Sequence, residues 1–341
     1  MRLTRQAGIH PVLTAGQPHT IGSLGCLCKR PAMPMAIGGG ARHVNPLILP
    51  HPAKLKPPTP STCTRRREAL CCSLSTDDGP STMIVSITGA TGFVGRRLVQ
   101  KLLSEDHKVC ILTRSASKAK SVFPASTCPG ITIAEQGDWD KCIQSSTAVV
   151  NLAGMPISTR WSTEIKREIK ESRINVTSKV VNYINNANAD ARPSVFVSAT
   201  AIGFYGTSEI SSFDESSPSG NDYLAEDGGA LAKMIPLFMM FAGGPLGTGQ
   251  QWFSWIHLDD LVDLVYESLK NPAYKGVING TAPNPVRLSE MCEQLGRVVG
   301  RPSWLPVLEG QKVLPVKAKQ LGFSYRYPYV QDALRAIASD L

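Results

Sequence analysis

The sequence has 341 residues, with 36 Lys and Arg against 27 Asp and Glu and a formal net charge of +9. Residues 1–72 hold ten of those cations and one acid, Glu68, so the rest of the chain is neutral and offers no basic field to nucleic acid. Beyond that leader stand only His107, His257 and the well-separated Cys110, Cys128, Cys142 and Cys292, which argues against a zinc site, another metal centre or a disulfide framework.

Residues 1–72 are rich in Pro, Gly, Ser and Thr and sustain no helical or strand period, so they read as a disordered leader. A stretch that is poor in acids and carries Arg, Ser and Thr has the composition of a plastid transit peptide. No run of 18 clean apolar residues occurs, so no transmembrane span is expected.

From Met83 the texture changes to short apolar runs alternating with amphipathic stretches, the pattern of an α/β protein with a parallel sheet. Strands are predicted at Met83–Thr88, Lys108–Thr113, Gly130–Glu135, Thr147–Ala153 and Ser194–Ala199. Helices are predicted between them at Phe93–Ser104, Ser115–Val122, Trp139–Ser145 and Thr163–Asn188. The fold class is a Rossmann-like, doubly wound parallel sheet over residues 83–226, followed at 227–341 by the remnant of the sheet and a small C-terminal lobe.

The first strand runs into Thr88-Gly89-Ala90-Thr91-Gly92-Phe93-Val94-Gly95 and then into a helix. That placement suits a dinucleotide: a tight turn at Gly89, close backbone approach at Gly92, close helix packing at Gly95, and a helix N-terminus facing the pyrophosphate. The second strand ends about twenty residues later, where an NAD site carries an acid on the ribose. Thr113 and Arg114 stand there instead, and a guanidinium accepts a 2′-phosphate, so the predicted cofactor is NADP(H). Asp138 either accepts from the adenine amino group or caps the next helix. Leu152, Ala153 and Gly154 close the fourth strand at the carboxyl edge, where the middle of the cofactor is expected.

These residues resemble the extended short-chain dehydrogenase/reductase superfamily and, more narrowly, its atypical epimerase family. The narrower likeness rests on Met155-Pro156-Ile157 through Arg160-Trp161 and Ser172-Arg173-Ile174-Asn175, on Ser198-Ala199-Thr200-Ala201-Ile202-Gly203-Phe204-Tyr205-Gly206, and on Trp252 through Asp260. With the leader in front, the plant plastid branch is the nearest likeness. It implies a stromal protein peripheral to the inner envelope, with plastid-division or envelope proteins as partners and an unidentified small-molecule substrate.

The superfamily's chemistry implies a Ser or Thr at the end of strand five, here Thr200 or Ser198, and a Tyr followed four residues later by Lys. The Lys lowers the Tyr pKa, and one helical turn sets the spacing. Tyr205 is followed by Glu209 and Tyr223 by Asp227, whereas Tyr266–Lys270 falls too late in the topology. Residues 207–229 also lack the two apolar periodicities of a crossover helix and parallel strand. The chain therefore reads as internally shortened, with junctions near Glu226 and Leu308. Two functions remain open: a catalytically silent NADP(H)-binding protein of plastid division, or an NADP-dependent reductase or epimerase acting on a sugar-like or small carbonyl substrate.

Overall fold

Ile84–Thr88 forms β2, a strand whose last four residues are all buried. Val85 and Ile87 supply its apolar contacts, and Ser86 is tolerated there because its hydroxyl pairs with that of Ser146 at 2.9 Å. Helix α1 (Phe93–Ser104) returns over the sheet, burying Leu98, Val99 and Leu102. It stops before a left-handed turn at Asp106 (φ 58°). The βα alternation then repeats through β3 (Lys108–Leu112), α2 (Ala116–Val122), β4 (Ile131–Ala134), α3 (Trp139–Gln144), β5 (Ala148–Asn151), α4 (Thr163–Asn186) and β6 (Val195–Thr200). The β2–β3, β3–β4, β2–β5 and β5–β6 pairs are all parallel. Every strand and helix expected between Met83 and Ala199 is present, with ends displaced by one to a few residues.

The computed structural model describes residues 1–7, 82–155, 162–220, 249–300 and 310–339. All of them fall in the unit formed by Met1–Thr14 and Pro80–Leu341. Tyr223, the apolar stretch 231–247, the junctions near Glu226 and Leu308 and most of the leader lie outside the described residues.

The beginning of the leader corrects the sequence reading. Arg2–Ala7 is a strand, β1, and it sits inside the main sheet, whose order is β4-β3-β2-β5-β6-β1-β9, with β9 at Gly276–Asn279. It runs antiparallel to both neighbours, pairing Arg2 with Thr200 and Asn279, and Leu3 with Ala199 and Ile278. β9 is therefore parallel to β6, with one strand's width between them. The position where a parallel strand was expected after β6 is taken by the N-terminal segment. Leu3 is fully buried in the main core among Val197, Val262 and Ile278.

The last residues build a smaller layer. Short strands β8 (Trp252–Phe253) and β10 (Val286–Arg287) pair antiparallel, while β7 (Ser212–Phe213) and β11 (Lys312–Val313) pair parallel. Helix α5 (Leu258–Lys270) packs on the main core. Helices α6 (Leu288–Val299) and α8 (Val330–Ser339) enclose a separate core of Trp255, Met291, Leu295 and Leu334, and the short α7 (Val316–Gln320) lies between them in sequence. His257 caps α5, accepting from Asp259 N–H at 3.2 Å. Buried Asp260 accepts from the backbone N–H of Arg326 and Tyr327 (2.8 and 3.1 Å), which hangs the C-terminal segment on α5. Among the described residues no helix is long and apolar enough to cross a membrane.

Two further features were not expected. Cys110 on β3 and Cys142 on α3 form a disulfide, so the cysteines are not all free. The Met1 amine donates to the Gly280 carbonyl at 3.0 Å, and burial pushes it from its ordinary 8.0 down to about 5. The unfolded chain therefore binds this proton more tightly than the folded one, so stability is full above pH 8 and declines as pH falls from 8 to 5. Three pH units correspond to about 4 kcal/mol at most. Urea midpoints should fall across that window, and the step should vanish after acetylation of the N-terminus; an unchanged step would place the titration elsewhere. Burial also lowers His107, which adds a loss of the same sign below its ordinary 6.5.

Candidate functional site

The turn after β2 is built by glycines, two of which, Gly89 and Gly95, leave no room for a Cβ. Gly89 has φ +71°, and a Cβ there would lie 2.7 Å from the Leu152 carbonyl carbon and 2.8 Å from Ala153 N. At Gly95 a Cβ would meet Gly89 O at 2.3 Å, and at Gly92 the same oxygen at 3.1 Å. Gly92 donates to Gly89 O at 3.0 Å and caps α1 with no side chain, and the first turn of the helix carries no acid. The first-turn N–H groups are thus left for an anion, at the positive end of a helix of 12 residues. Thr91 O is held by Arg96 Nε at 2.9 Å, so Arg96 braces the turn instead of reaching toward a 2′-phosphate. Phe93 is 71% exposed at the mouth of this turn, and Val94 packs against the core behind it.

The ends of neighbouring strands complete the crevice. Thr113 Oγ1 accepts from Ser115 N–H at 3.1 Å, shaping the loop in which Arg114 stands exposed. Asp138 occupies the cap position of α3 but makes no capping bond; its carboxylate pairs with Lys141 at 2.7 Å on the surface. Leu152 N–H donates to Thr88 O at 3.1 Å and Ala153 N–H to Thr88 Oγ1 at 3.4 Å, which draws the β5 end over the glycine turn. Gly154 lies against Arg173, whose guanidinium donates to Ile169 O (3.2 Å) and Met155 O (3.3 Å). Arg173 is half-buried and fixes the backbone beyond β5.

Asn151 heads the run Asn151-Leu152-Ala153-Gly154 expected to line the middle of the cofactor, but its side chain is spent on the fold. Fully enclosed at the end of β5, it accepts from Thr88 Oγ1 at 2.5 Å and donates to Thr177 Oγ1 at 2.9 Å and Ser198 Oγ at 3.3 Å. One side chain thereby locks the ends of β2, β5 and β6 to α4. Its signal was legible: a lone amide closing the apolar run Ala148-Val149-Val150 has to find partners. Ser198 belongs to this network, whereas Thr200, two residues on, is exposed at the carboxyl edge. Tyr205 donates its hydroxyl to Asn279 Oδ1 at 2.8 Å, and burial raises its pKa. Tyr266 lies at the opposite end of the sheet, beside His107 (3.1 Å) and Glu105 (3.4 Å), and burial pushes it up to about 12. Tyr266 is thus at the amino edge, away from the glycine turn, while the Tyr205 hydroxyl is engaged by Asn279.

Sheet order and glycine cradle together define an α/β protein with a dinucleotide crevice at the carboxyl edge of its strands. A family model described as NAD dependent epimerase/dehydratase family matches residues 85–235, and a domain of unknown function, DUF1731, matches 300–337. The chain is 61% identical over 319 positions to the epimerase family protein SDR39U1 homolog, chloroplastic, of Arabidopsis thaliana, a match covering 80% of this chain and 91% of that protein. It is 31% identical to epimerase family protein YfhF of Bacillus subtilis, over 76% of this chain and 99% of that one. The crystal structure of human epimerase family protein SDR39U1 (isoform2) with NADPH superimposes with a TM-score of 0.65 at 28% identity, covering 76% of this chain and all of that one. The chain belongs to the NAD dependent epimerase/dehydratase family.

Proposed function

We propose that this protein binds NADP(H) in the plastid and acts through the bound state rather than through turnover. The observation that carries the reading is the cradle itself, in which Gly89 and Gly95 leave no room for side chains and Gly92 opens a bare helix N-terminus, together with exposed Arg114 after the next strand. The NADPH in the human relative's structure supports the same cofactor, and Arg114 supplies the charge a 2′-phosphate requires. Silence is supported by Tyr205 being committed to Asn279 and by Tyr266–Lys270 lying at the far end of the sheet. Location is supported by the chloroplastic relative and by the composition of the leader. A part in plastid division, with protein partners at the inner envelope, is what the resemblance to the plant branch adds.

An internally shortened chain fits the same picture. The match to the Arabidopsis protein runs over 319 positions yet takes in only 80% of 341 residues, so several dozen aligned positions have no residue here. Transcripts read across Glu226 and Leu308 test this: a single message contiguous at both points, with no longer form, overturns it.

The binding claim is tested by titrating the full chain with NADPH and following the thermal midpoint. A rise that NADH does not match is expected. Replacing Arg114 with alanine should weaken NADPH about 10- to 100-fold and leave NADH unaffected, the loss of one or two charge-assisted hydrogen bonds. Equal loss for both nucleotides would remove Arg114 from the 2′-phosphate. The alternative, an NADP-dependent reductase or epimerase, is favoured by one observation, the exposure of Thr200 at the carboxyl edge. NADPH oxidation with small carbonyl compounds that disappears in Thr200→Ala would establish it over the silent reading.

A further inference from the structure

The gap between β6 and β9 is one strand wide and is paired along both sides by a segment joined to the rest of the unit only through residues 8–81. Arg2–Ala7 follows no adjacent element and runs against the direction of β6 and β9. What holds it is peptide-like: a backbone ladder on each edge, Leu3 fully buried in the core, and a terminal amine and carbonyl both bonded to Gly280 (3.0 and 2.6 Å). Arg2 adds its guanidinium 3.7 Å over the Phe204 ring. Backbone pairing plus one pocketed side chain is how sheets accept added strands.

From this we infer that the β6–β9 slot is a strand-acceptor site, in which residues 1–7 are a replaceable occupant and which takes an extended protein segment of the same chemistry, with a leucine-sized residue at the third position. The covalent connection decides who occupies it. Being part of the same chain gives residues 1–7 the advantage of an intramolecular competitor over a free segment. Removal of the leader, which its reading as a transit peptide implies, takes this occupant away and opens the slot to a partner's strand. The open slot is an unpaired pair of sheet edges, the feature that draws another chain in. This goes beyond the cofactor reading and stands whether or not NADPH binds.

The test uses the full chain with a specific-protease site introduced at about residue 40 and a peptide of residues 1–7 labelled at its C-terminus, because the amine end is buried. Anisotropy should show saturable uptake of the peptide after cutting, at least tenfold above that of the uncut protein, with the protease inactivated. A Leu3→Asp peptide should not be taken up. No uptake after cutting overturns the proposal, as does equal uptake before and after, or uptake of the Leu3→Asp peptide. NADPH-dependent thermal shifts measured on the uncut protein report on the cofactor separately, so the two readings fail independently.

Discussion

Replacing Gly95 with alanine is expected to abolish NADPH binding by the full chain. The new Cβ would stand 2.3 Å from Gly89 O and 2.7 Å from Ala90 Cα, both backbone atoms that no rotamer can move aside. Relief requires α1 to retreat from the turn. That retreat carries the first-turn N–H groups away from where the pyrophosphate would rest, and binding that depends on their convergence is lost. Overpacking of this kind costs about 1–3 kcal/mol in the protein alone. Affinity should drop more steeply, because the misplaced groups are the ones that recognise charge. The measurement is the NADPH-induced rise in thermal midpoint, which should disappear while the cooperative transition persists at a lower temperature. A variant that still responds to NADPH as the parent does would show that the close approach at Gly95 does not shape the site.

A second large effect is expected far from the crevice. Leu3→Ala removes a side chain that is fully buried between β6 and β9, at the end of a ladder shared by two strands. Leucine-to-alanine changes in closed cores cost about 2–5 kcal/mol, a large fraction of the 5–15 kcal/mol that holds a typical domain together. Here the loss is bounded by the free energy of undocking β1, since a strand that no longer fits will leave. For a domain of this size about 1 kcal/mol moves the midpoint by roughly 2–4 °C, so a fall of about 5–15 °C is expected. A shift under 1 °C would mean that β1 contributes nothing to the sheet.

How much of this was legible from the residues depends on how far apart the partners lie. The β2-turn-α1 unit could be read because its apolar runs, its three glycines and its helix are contiguous, and each choice agrees with the next. The parallel half followed for the same reason, down to Trp139 and Thr163 as the first residues of their helices. β1 could not be read. Arg-Leu-Thr-Arg-Gln-Ala shows no alternation, and its partners are Val195–Thr200 and Gly276–Asn279, distant in sequence. A central strand buried on both edges needs little from its own side chains when its neighbours supply the core. Similarly, Cys110 and Cys142 are separated by 32 residues and only the β3–α3 packing brings them together. Asp259 and Asp260 lie in the first turn of α5, and the cap is His257, two residues before Asp259.

The placement of β1 also fixes an order of events during synthesis. Residues 2–7 are made well before their second partner, β9, which ends at Asn279. At translation rates of about 5–20 residues per second, the interval before that partner exists is on the order of ten to sixty seconds. For that time residues 2–7 have no complete place in the sheet. Once β9 emerges, the same residues are enclosed and the amine is out of reach of water. The beginning of this chain is thus presented early and withdrawn late, and the clock is the length of chain between the two strands that hold it.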